Sequence, residues 1–171
     1  MTRPEFRGAW TRFWFAPQPT STVAVVRIAV GAVSFLWGLA MLPDVDAFFS
    51  THGIEPVPVL HSWGILQHYT SDTAVHVVYA AHLLGALAVL VGFRTRLASV
   101  VLFVTTFSFI ERAPSVFNSG DGLLRMLVFF LMFMPAGESL SVDRWLRTRR
   151  THEPFWAFPA LAPWGLRLAQ I

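Results

Sequence analysis

Two apolar segments joined by a polar turn decide the fold of this chain: LASVVLFVTTFSFI (97–110), ERAPSVFNSGDG (111–122) and LLRMLVFFLMFM (123–134). At about 1.5 Å per residue, each apolar segment covers only about two-thirds of a ~30 Å hydrocarbon core. Either the flanks of the turn extend both helices, or charged groups lie below the lipid headgroups. Both arrangements place the charged residues of the hairpin near low dielectric, where each needs a partner or a function. These residues are Glu111, Arg112, Asp121 and Arg125.

The composition is that of a membrane protein. Of the 171 residues, 54% are hydrophobic and only 13% are charged, which is too apolar for an ordinary soluble domain. Sixteen Phe and seven Trp fit aromatic belts at the membrane surfaces. We predict one domain over residues 1–171 with an all-α fold: a polytopic integral membrane helical bundle.

The residue types that are missing exclude several functions for this chain alone. There is no cysteine, which excludes disulfides and thiolate metal or catalytic sites. Every basic residue is arginine, so a lysine Schiff base or general base is also excluded. The arginines fall on membrane flanks and not along one soluble face, so nucleic acid is not a predicted partner.

Hydropathy and helix-breaking residues predict four transmembrane helices, at 23–42, 73–92, 97–111 and 121–135. Residues 1–20 alternate arginines with aromatic residues and lack a cleavage site, which predicts an interfacial segment and not a signal peptide. Residues 43–72 form a long outer loop. Its second half, from Val57 to Tyr69, is expected to contain a short interfacial helix.

Arginine placement predicts the orientation. The N-terminal flank, the turn at 92–96 and residues 144–150 are rich in arginine, whereas the loop at 43–72 has acidic residues and no arginine. Cytoplasmic loops carry the excess of positive charge, so the N-terminus and residues 144–150 should both face the cytoplasm. An even number of spans agrees with this arrangement. The polar turn and the acidic loop then share the outer face.

The last eight residues, WGLRLAQI (164–171), resemble the opening turns of a fifth apolar helix. We expect the sequence to be the N-terminal part of a longer domain, because Arg167 followed by apolar residues repeats the pattern around Arg27. The alternative is an amphipathic tail on the inner surface, anchored by Trp156 and Trp164.

The polar turn carries the candidate ligand-binding residues. Asp121 and Arg125 are four residues apart at the start of a helix and share a face, and Asn118 is a candidate cap. One interpretation is an outward-facing pocket for a polar or anionic headgroup. The other is a structural ion-pair cluster that closes the hairpin. The candidate set is Glu111, Arg112, Asn118, Asp121 and Arg125.

Arg27 is the single charge in the first predicted span. We expect it to tie the first helix to Glu138 or Asp143, which should lie at the same depth. The alternative is an arginine whose side chain extends along the helix to the cytoplasmic interface.

Three polar residues of the second predicted span, His76, Tyr79 and His82, are spaced by three and are expected to form one polar stripe. A proton relay and hydrogen-bonded packing are both compatible with it. The histidines of the outer loop do not form a helical i, i+4 pair with one another, so no metal site is predicted.

Five stretches, in this order, resemble the HTTM (horizontally transferred transmembrane) domain shared with vitamin K-dependent gamma-carboxylase. The resemblance covers about residue 14 to the C-terminus. The stretches are VRIAVG (26–31), FSTHGIEP (49–56), GFRTRLA (92–98), NSGDGLLR (118–125) and PAGESLSVD (135–143).

The resemblance implies a polytopic helical membrane protein. In the animal carboxylases of the family, reduced vitamin K, carbon dioxide and oxygen are used to carboxylate glutamates on the lumenal side. Two departures argue against carrying the activity over. The carboxylase needs a lysine, which is absent here, and an important histidine of the carboxylase aligns with Gly120. No catalytic residue is therefore assigned, and a reduced quinone or vitamin K-like cofactor is implied by the resemblance alone.

Three functions stay open. The first is a bacterial inner-membrane protein that binds a quinone-like or lipid-like ligand, the bacterial source being suggested by the lysine-free, arginine-rich usage. The second is a scaffold or partner subunit that contacts membrane lipid and other membrane or periplasmic proteins. The third is a small four-helix subunit of a quinone-linked oxidoreductase, similar to DoxX-like proteins. The motifs at 94–96 and 135–143 argue against the third.

Overall fold

The computed structural model describes residues 3–54, 64–156, 158–162 and 164–169, and these residues form an all-α fold with one short pair of strands. Single 3-10 turns lie at Leu42–Asp44 and Pro114–Val116. The strands β1 (Gln18–Pro19) and β2 (Ala160–Leu161) pair antiparallel. The α-helices are α1 (Arg3–Phe15), α2 (Ser21–Met41), α3 (Val45–Phe49), α4 (Ile65–His68), α5 (Asp72–Val91), α6 (Thr95–Arg112), α7 (Ser119–Leu131), α8 (Val142–Thr151) and α9 (Trp164–Ala169).

Local sequence explains the turn between α5 and α6. Helix α5 begins after Ser71, whose hydroxyl accepts a hydrogen bond from the Ala74 amide at 3.3 Å. It ends at Gly92, which has a φ of 73° and so occupies the left-handed region that glycine enters without strain. Arg94 follows with a φ of 43°, and α6 starts at the next residue. The chain therefore reverses within three residues.

Helices α2 and α5 pack closely because small residues lie between them. At Gly31, an added Cβ would meet the backbone nitrogen of Leu90 at 2.6 Å, so only glycine allows this approach of the two backbones. Small residues have this role at helix contacts in membranes.

The core has two parts along the bundle axis. One contains Val30, Val89, Leu102 and Val128, and the other contains Phe49, Tyr79 and Phe109. Large apolar side chains also lie on the outside of the bundle, where they would be costly in water over so large an area. Those more than half exposed include Val25, Val33, Leu36, Val77, Leu84 and Leu123.

Within the described part of the chain, two helical segments are long and apolar enough to span a membrane: Ser21–Phe49 and Asp72–Val91. Helix α6 would extend about 27 Å and α7 about 20 Å, so four crossings stay a prediction. The third helix is longer at both ends than the predicted span of residues 97–111 and covers Thr95–Arg112. The fourth ends at Leu131 and not at residue 135, because Pro135 disfavours helical geometry in the residue before it.

The two ends of the chain meet at one end of the bundle. Thr20 hydrogen-bonds to Ser139, β1 pairs with β2, and Gly165 of α9 packs closely on Met134. We call this the inner end, after the orientation that the sequence predicts; it comprises the α5–α6 turn, residues 135–151 and the β-pair. The opposite outer end comprises α3, α4 and the turn at 114–118. Of the expected interfacial helix in the outer loop, only α4 is described, and residues 55–63 lie outside the described residues.

Candidate functional site

At the outer end, α6 and α7 are joined by a short turn that ends in a helix cap. The Asn118 side chain accepts a hydrogen bond from the Gly120 amide at 2.7 Å, and the Asp121 carboxylate accepts one from the Asn118 amide at 2.9 Å. The two residues form a capping box, which satisfies amides that have no partner within the helix. The cap starts α7 two residues before the predicted position.

Arg125 pairs with Glu111 and not with Asp121, the residue that shares its helix face in sequence. The guanidinium Nη1 lies 3.6 Å from the Glu111 carboxylate, and the group lies over the Phe107 ring, 5.6 Å from its centre. This geometry joins α7 to α6. The i, i+4 spacing was misleading because the Asp121 carboxylate bonds to the backbone at the helix start.

Arg112 is fully buried at the end of α6. Its Nη2 donates a hydrogen bond to the Ser50 carbonyl at 3.2 Å, which connects α6 to the start of the outer loop. Gln67 of α4 donates to the Glu111 carbonyl at 2.6 Å, and the Ile65 amide donates to the Ser108 hydroxyl at 3.0 Å. The end of α6 is thus held by both described parts of the outer loop.

An apolar groove of about 200 Å³ lies on the outside of the bundle between α2 and α7. Its walls carry only small or aliphatic residues, and Val33 and Leu123 are more than half exposed. None of the five predicted ligand-binding residues lines the groove, although Gly120, which bonds to Asn118, does. The lining residues are Ala29, Val30, Val33, Gly120, Leu123, Leu124 and Leu127.

At the inner end, fully buried Arg27 binds main-chain carbonyls of the loop after α7. Its guanidinium donates to Ala136 at 2.8 Å, Ser139 at 3.2 Å and Leu140 at 2.6 Å. Arg27 thus contacts the expected loop, but its hydrogen-bond partners are carbonyls and not the carboxylates of Glu138 or Asp143. Asp143 interacts with Arg27 only through its charge.

Those two carboxylates bind elsewhere at the inner end. Asp143 accepts hydrogen bonds from the amides of Arg94 at 2.7 Å and Thr95 at 2.9 Å, and from the Thr95 hydroxyl at 2.9 Å. It therefore caps α6 from a distant part of the chain. Glu138 accepts a hydrogen bond from Arg147 at 2.5 Å, which raises the pKa of the Arg147 guanidinium.

A family model described as the HTTM domain matches residues 15–163. The chain belongs to the HTTM family. No solved structure matches it. The family match and the two long apolar helices together indicate a membrane protein.

The polar residues of α5 in this HTTM domain do not form the single stripe that was expected. His76 is exposed, 3.2 Å from Asp46, whereas Tyr79 is buried and donates to the Gly38 carbonyl. Fully buried His82 contacts the Thr105 hydroxyl of α6 at 3.3 Å. Each step of three residues falls about 60° short of a full turn, so His76 and His82 differ by about 120° around the helix.

Two polar groups of the HTTM core carry no signal in the sequence. Ser34 and Thr106 are buried, and within the described part of the chain their hydroxyls have no hydrogen-bond partner. Buried Arg144 also lay outside the predicted site. It donates to the carbonyls of Phe155 at 2.8 Å and Pro154 at 3.3 Å. A buried arginine in an amphipathic, arginine-rich segment cannot be distinguished by spacing from exposed ones.

A metal site is not evident in the described residues of the HTTM domain, because no group of three or more His, Cys, Asp or Glu side chains lies close enough together to hold an ion. His52 and His68 lie in the described outer loop, whereas His61 lies outside the described residues.

Proposed function

We propose that this HTTM protein crosses a bacterial inner membrane four times, with its N-terminus in the cytoplasm. The strands β1 and β2, which precede and follow the four proposed crossings, pair at one end of the bundle, as an even number of crossings between them requires. The same end carries exposed Arg94, Arg96, Arg149 and Arg150, which agrees with the positive charge of cytoplasmic segments.

We propose further that the protein binds a quinone-like or lipid-like ligand that has an apolar tail and a polar head. The observation that carries this proposal is the groove between α2 and α7, which is apolar along its length and open to the outside of the bundle. Such a surface suits an isoprenoid or acyl chain lying parallel to the helices. The groove has one end at Gly120, in the first turn of α7.

The five outer polar residues then have different functions. Asn118 lies next to Gly120 and is the residue proposed to contact the headgroup. Asp121 maintains the cap that places Asn118 there. Glu111, Arg112 and Arg125 hold α6 against the outer loop and α7, which fixes one wall of the site.

A tryptophan in the groove tests this proposal against a matched control. Val33→Trp fills the groove, whereas Val25→Trp adds the same side chain at another exposed position of α2 that does not line it. The probe is a photoactivatable quinone with an isoprenoid tail, added to purified protein in detergent. We expect Val33→Trp to weaken labelling about tenfold, which corresponds to ~1.4 kcal/mol of binding, and Val25→Trp to match the parent. Equal labelling of all three proteins would reject the groove as a ligand site.

A second candidate function is that of a non-enzymatic scaffold or partner subunit for other membrane or periplasmic proteins. It is favoured by the observation that the charges of Glu111, Arg125 and Asp121 all have partners within the chain. The scaffold predicts that the Glu111→Arg/Arg125→Glu exchange leaves the capture of partner proteins unchanged. The two functions are distinguished by Val33→Trp, which should lower probe labelling if the groove binds a ligand and leave both labelling and partner capture unchanged if the protein is a scaffold.

Carboxylase-like chemistry is not proposed for these residues. The sequence contains no lysine, and Gly120 stands where the carboxylase has its histidine. That chemistry would need a lysine from outside this sequence.

A further inference from the structure

A cavity of about 580 Å³ lies at the inner end, between the start of α6, the end of α7, α8 and β2. One wall is apolar and contains Leu131, Phe133 and Met134. Another part of the lining is charged and contains Arg96, Glu138, Asp143 and Arg147. The cavity is thus amphipathic. Its part of α7 begins at Leu131, about one helical turn after Leu127, the last residue of the groove.

The two carboxylates on the cavity wall are already satisfied by the protein. Glu138 binds Arg147 at 2.5 Å. Asp143 accepts three hydrogen bonds from the first residues of α6. Neither acid therefore needs a cation from outside, and neither neutralises Arg96 by direct contact.

Arg96 is the cation on this wall that is available to a ligand. Its side chain is exposed, and no hydrogen bond or ion pair within the described residues engages its guanidinium. Arg94, Arg149 and Arg150 are exposed at the same end of the bundle. A guanidinium binds a phosphate through two parallel hydrogen bonds.

We propose that this cavity binds an anionic phospholipid from the membrane leaflet at the inner end. The phosphate is bound by Arg96, and the first part of an acyl chain lies against Leu131, Phe133 and Met134. The argument is charge complementarity on one wall together with an apolar surface on the other, which a soluble anion would not use. The inference rests on the proposed membrane placement but is independent of ligand binding in the groove.

Native mass spectrometry of the full chain tests the proposal. The parent, Arg96→Gln and Arg94→Gln proteins are released from detergent in the presence of phosphatidylglycerol or phosphatidylcholine. Arg94→Gln is the matched control, because it removes the same charge two residues away at a position that does not line the cavity. We expect the parent to retain phosphatidylglycerol over phosphatidylcholine, and Arg96→Gln to retain about fivefold less phosphatidylglycerol. Arg94→Gln should behave as the parent does.

A variant of the cavity without a change of charge provides a second readout. Ala162→Phe places a ring in the cavity and should lower the retention of both lipids.

Equal losses of phosphatidylglycerol in Arg96→Gln and Arg94→Gln would overturn the proposal in favour of a non-specific attraction between the arginines and anionic lipid. Displacement of the lipid by inorganic phosphate at millimolar concentration would overturn it in favour of a phosphate site. Labelling by the quinone probe is measured on the same proteins, so a failure of the groove and a failure of this cavity are distinguishable.

Discussion

The Glu111–Arg125 pair at the outer end and Arg27 at the inner end hold their charges in different ways. At the outer end, the side chains of Glu111 and Arg125 pair with each other and are 15% and 30% exposed, respectively. At the inner end, Arg27 has no exposure and binds three main-chain carbonyls of one loop. The carbonyls belong to a fixed backbone, whereas the outer pair joins two flexible side chains.

This difference determines how much stability the protein loses when each contact is removed. A buried carbonyl that loses its donor has no water to replace it, so the cost of removing Arg27 is high. The partly exposed outer pair exchanges protein partners for water at small cost. Arg27 is therefore expected to contribute more to stability than the Glu111–Arg125 pair does. Arg112, which is fully buried at the outer end and donates to the Ser50 carbonyl, belongs with Arg27 in this comparison.

The largest effect is expected for Arg27→Leu, which leaves three carbonyls without their donor. We expect a loss of about 3 kcal/mol in the free energy of unfolding, measured by denaturant unfolding in detergent micelles. Arg27→Lys should lose less stability than Arg27→Leu, because an ammonium keeps the charge and can still donate hydrogen bonds. It should be less stable than the parent, because an ammonium cannot reach all three carbonyls in a plane. The control is Arg150→Leu, an exposed arginine at the same end. Equal stability of Arg27→Leu and Arg150→Leu would remove the distinction between the two ends.

Asp143→Ala should have the next largest effect, because the first residues of α6 then lose the carboxylate that accepts their hydrogen bonds. The backbone hydrogen bond from the residue 143 amide to the Gly92 carbonyl remains in this variant. We expect a loss of about 2 kcal/mol, measured in the same way. Asp44→Ala is the control, since Asp44 is exposed and its side chain does not cap α3. A loss no greater than that of the control would show that the amides at the start of α6 find other partners.

The smallest effect is expected at the outer pair. Glu111→Gln and Arg125→Gln should each cost about 0.5 kcal/mol, and the Glu111→Arg/Arg125→Glu exchange should restore most of it. A double-mutant cycle measures the coupling between the two positions. A coupling as large as the loss in Arg27→Leu would mean that the outer end is as structurally constrained as the inner end.

The sequence predicted the positions of the helices better than the atoms that bind the charged side chains. The four apolar segments gave α2, α5, α6 and α7 with shifts of a few residues, because hydropathy, Pro43 and Gly92 act locally. The all-α fold and the HTTM family were confirmed. Which atom binds a given charge depends on contacts between distant parts of the chain, such as Asp143 with Thr95.

Two sets of contacts could not be predicted from spacing and charge. Asp121 and Arg125 share a helix face, but an acid at the third position of a helix can also accept a hydrogen bond from the amide of the cap residue. Arg27 was expected to reach Glu138 or Asp143, but it donates its hydrogen bonds to loop carbonyls, and Asp143 interacts with it only through its charge. The groove and the inner cavity could not be predicted, since each is formed by the shapes of several elements together.

The central claim is that the bundle spans a membrane with the inner and outer ends on opposite sides. The chain has no cysteine, so single cysteines report one position each. We would introduce Asp44→Cys and Ser115→Cys at the outer end, and Phe93→Cys and Arg150→Cys at the inner end, and label intact spheroplasts with a membrane-impermeant maleimide. The account predicts labelling of the two outer positions in intact cells, and of the two inner positions only after permeabilisation. Labelling of Ser115→Cys and Arg150→Cys from the same side would contradict it.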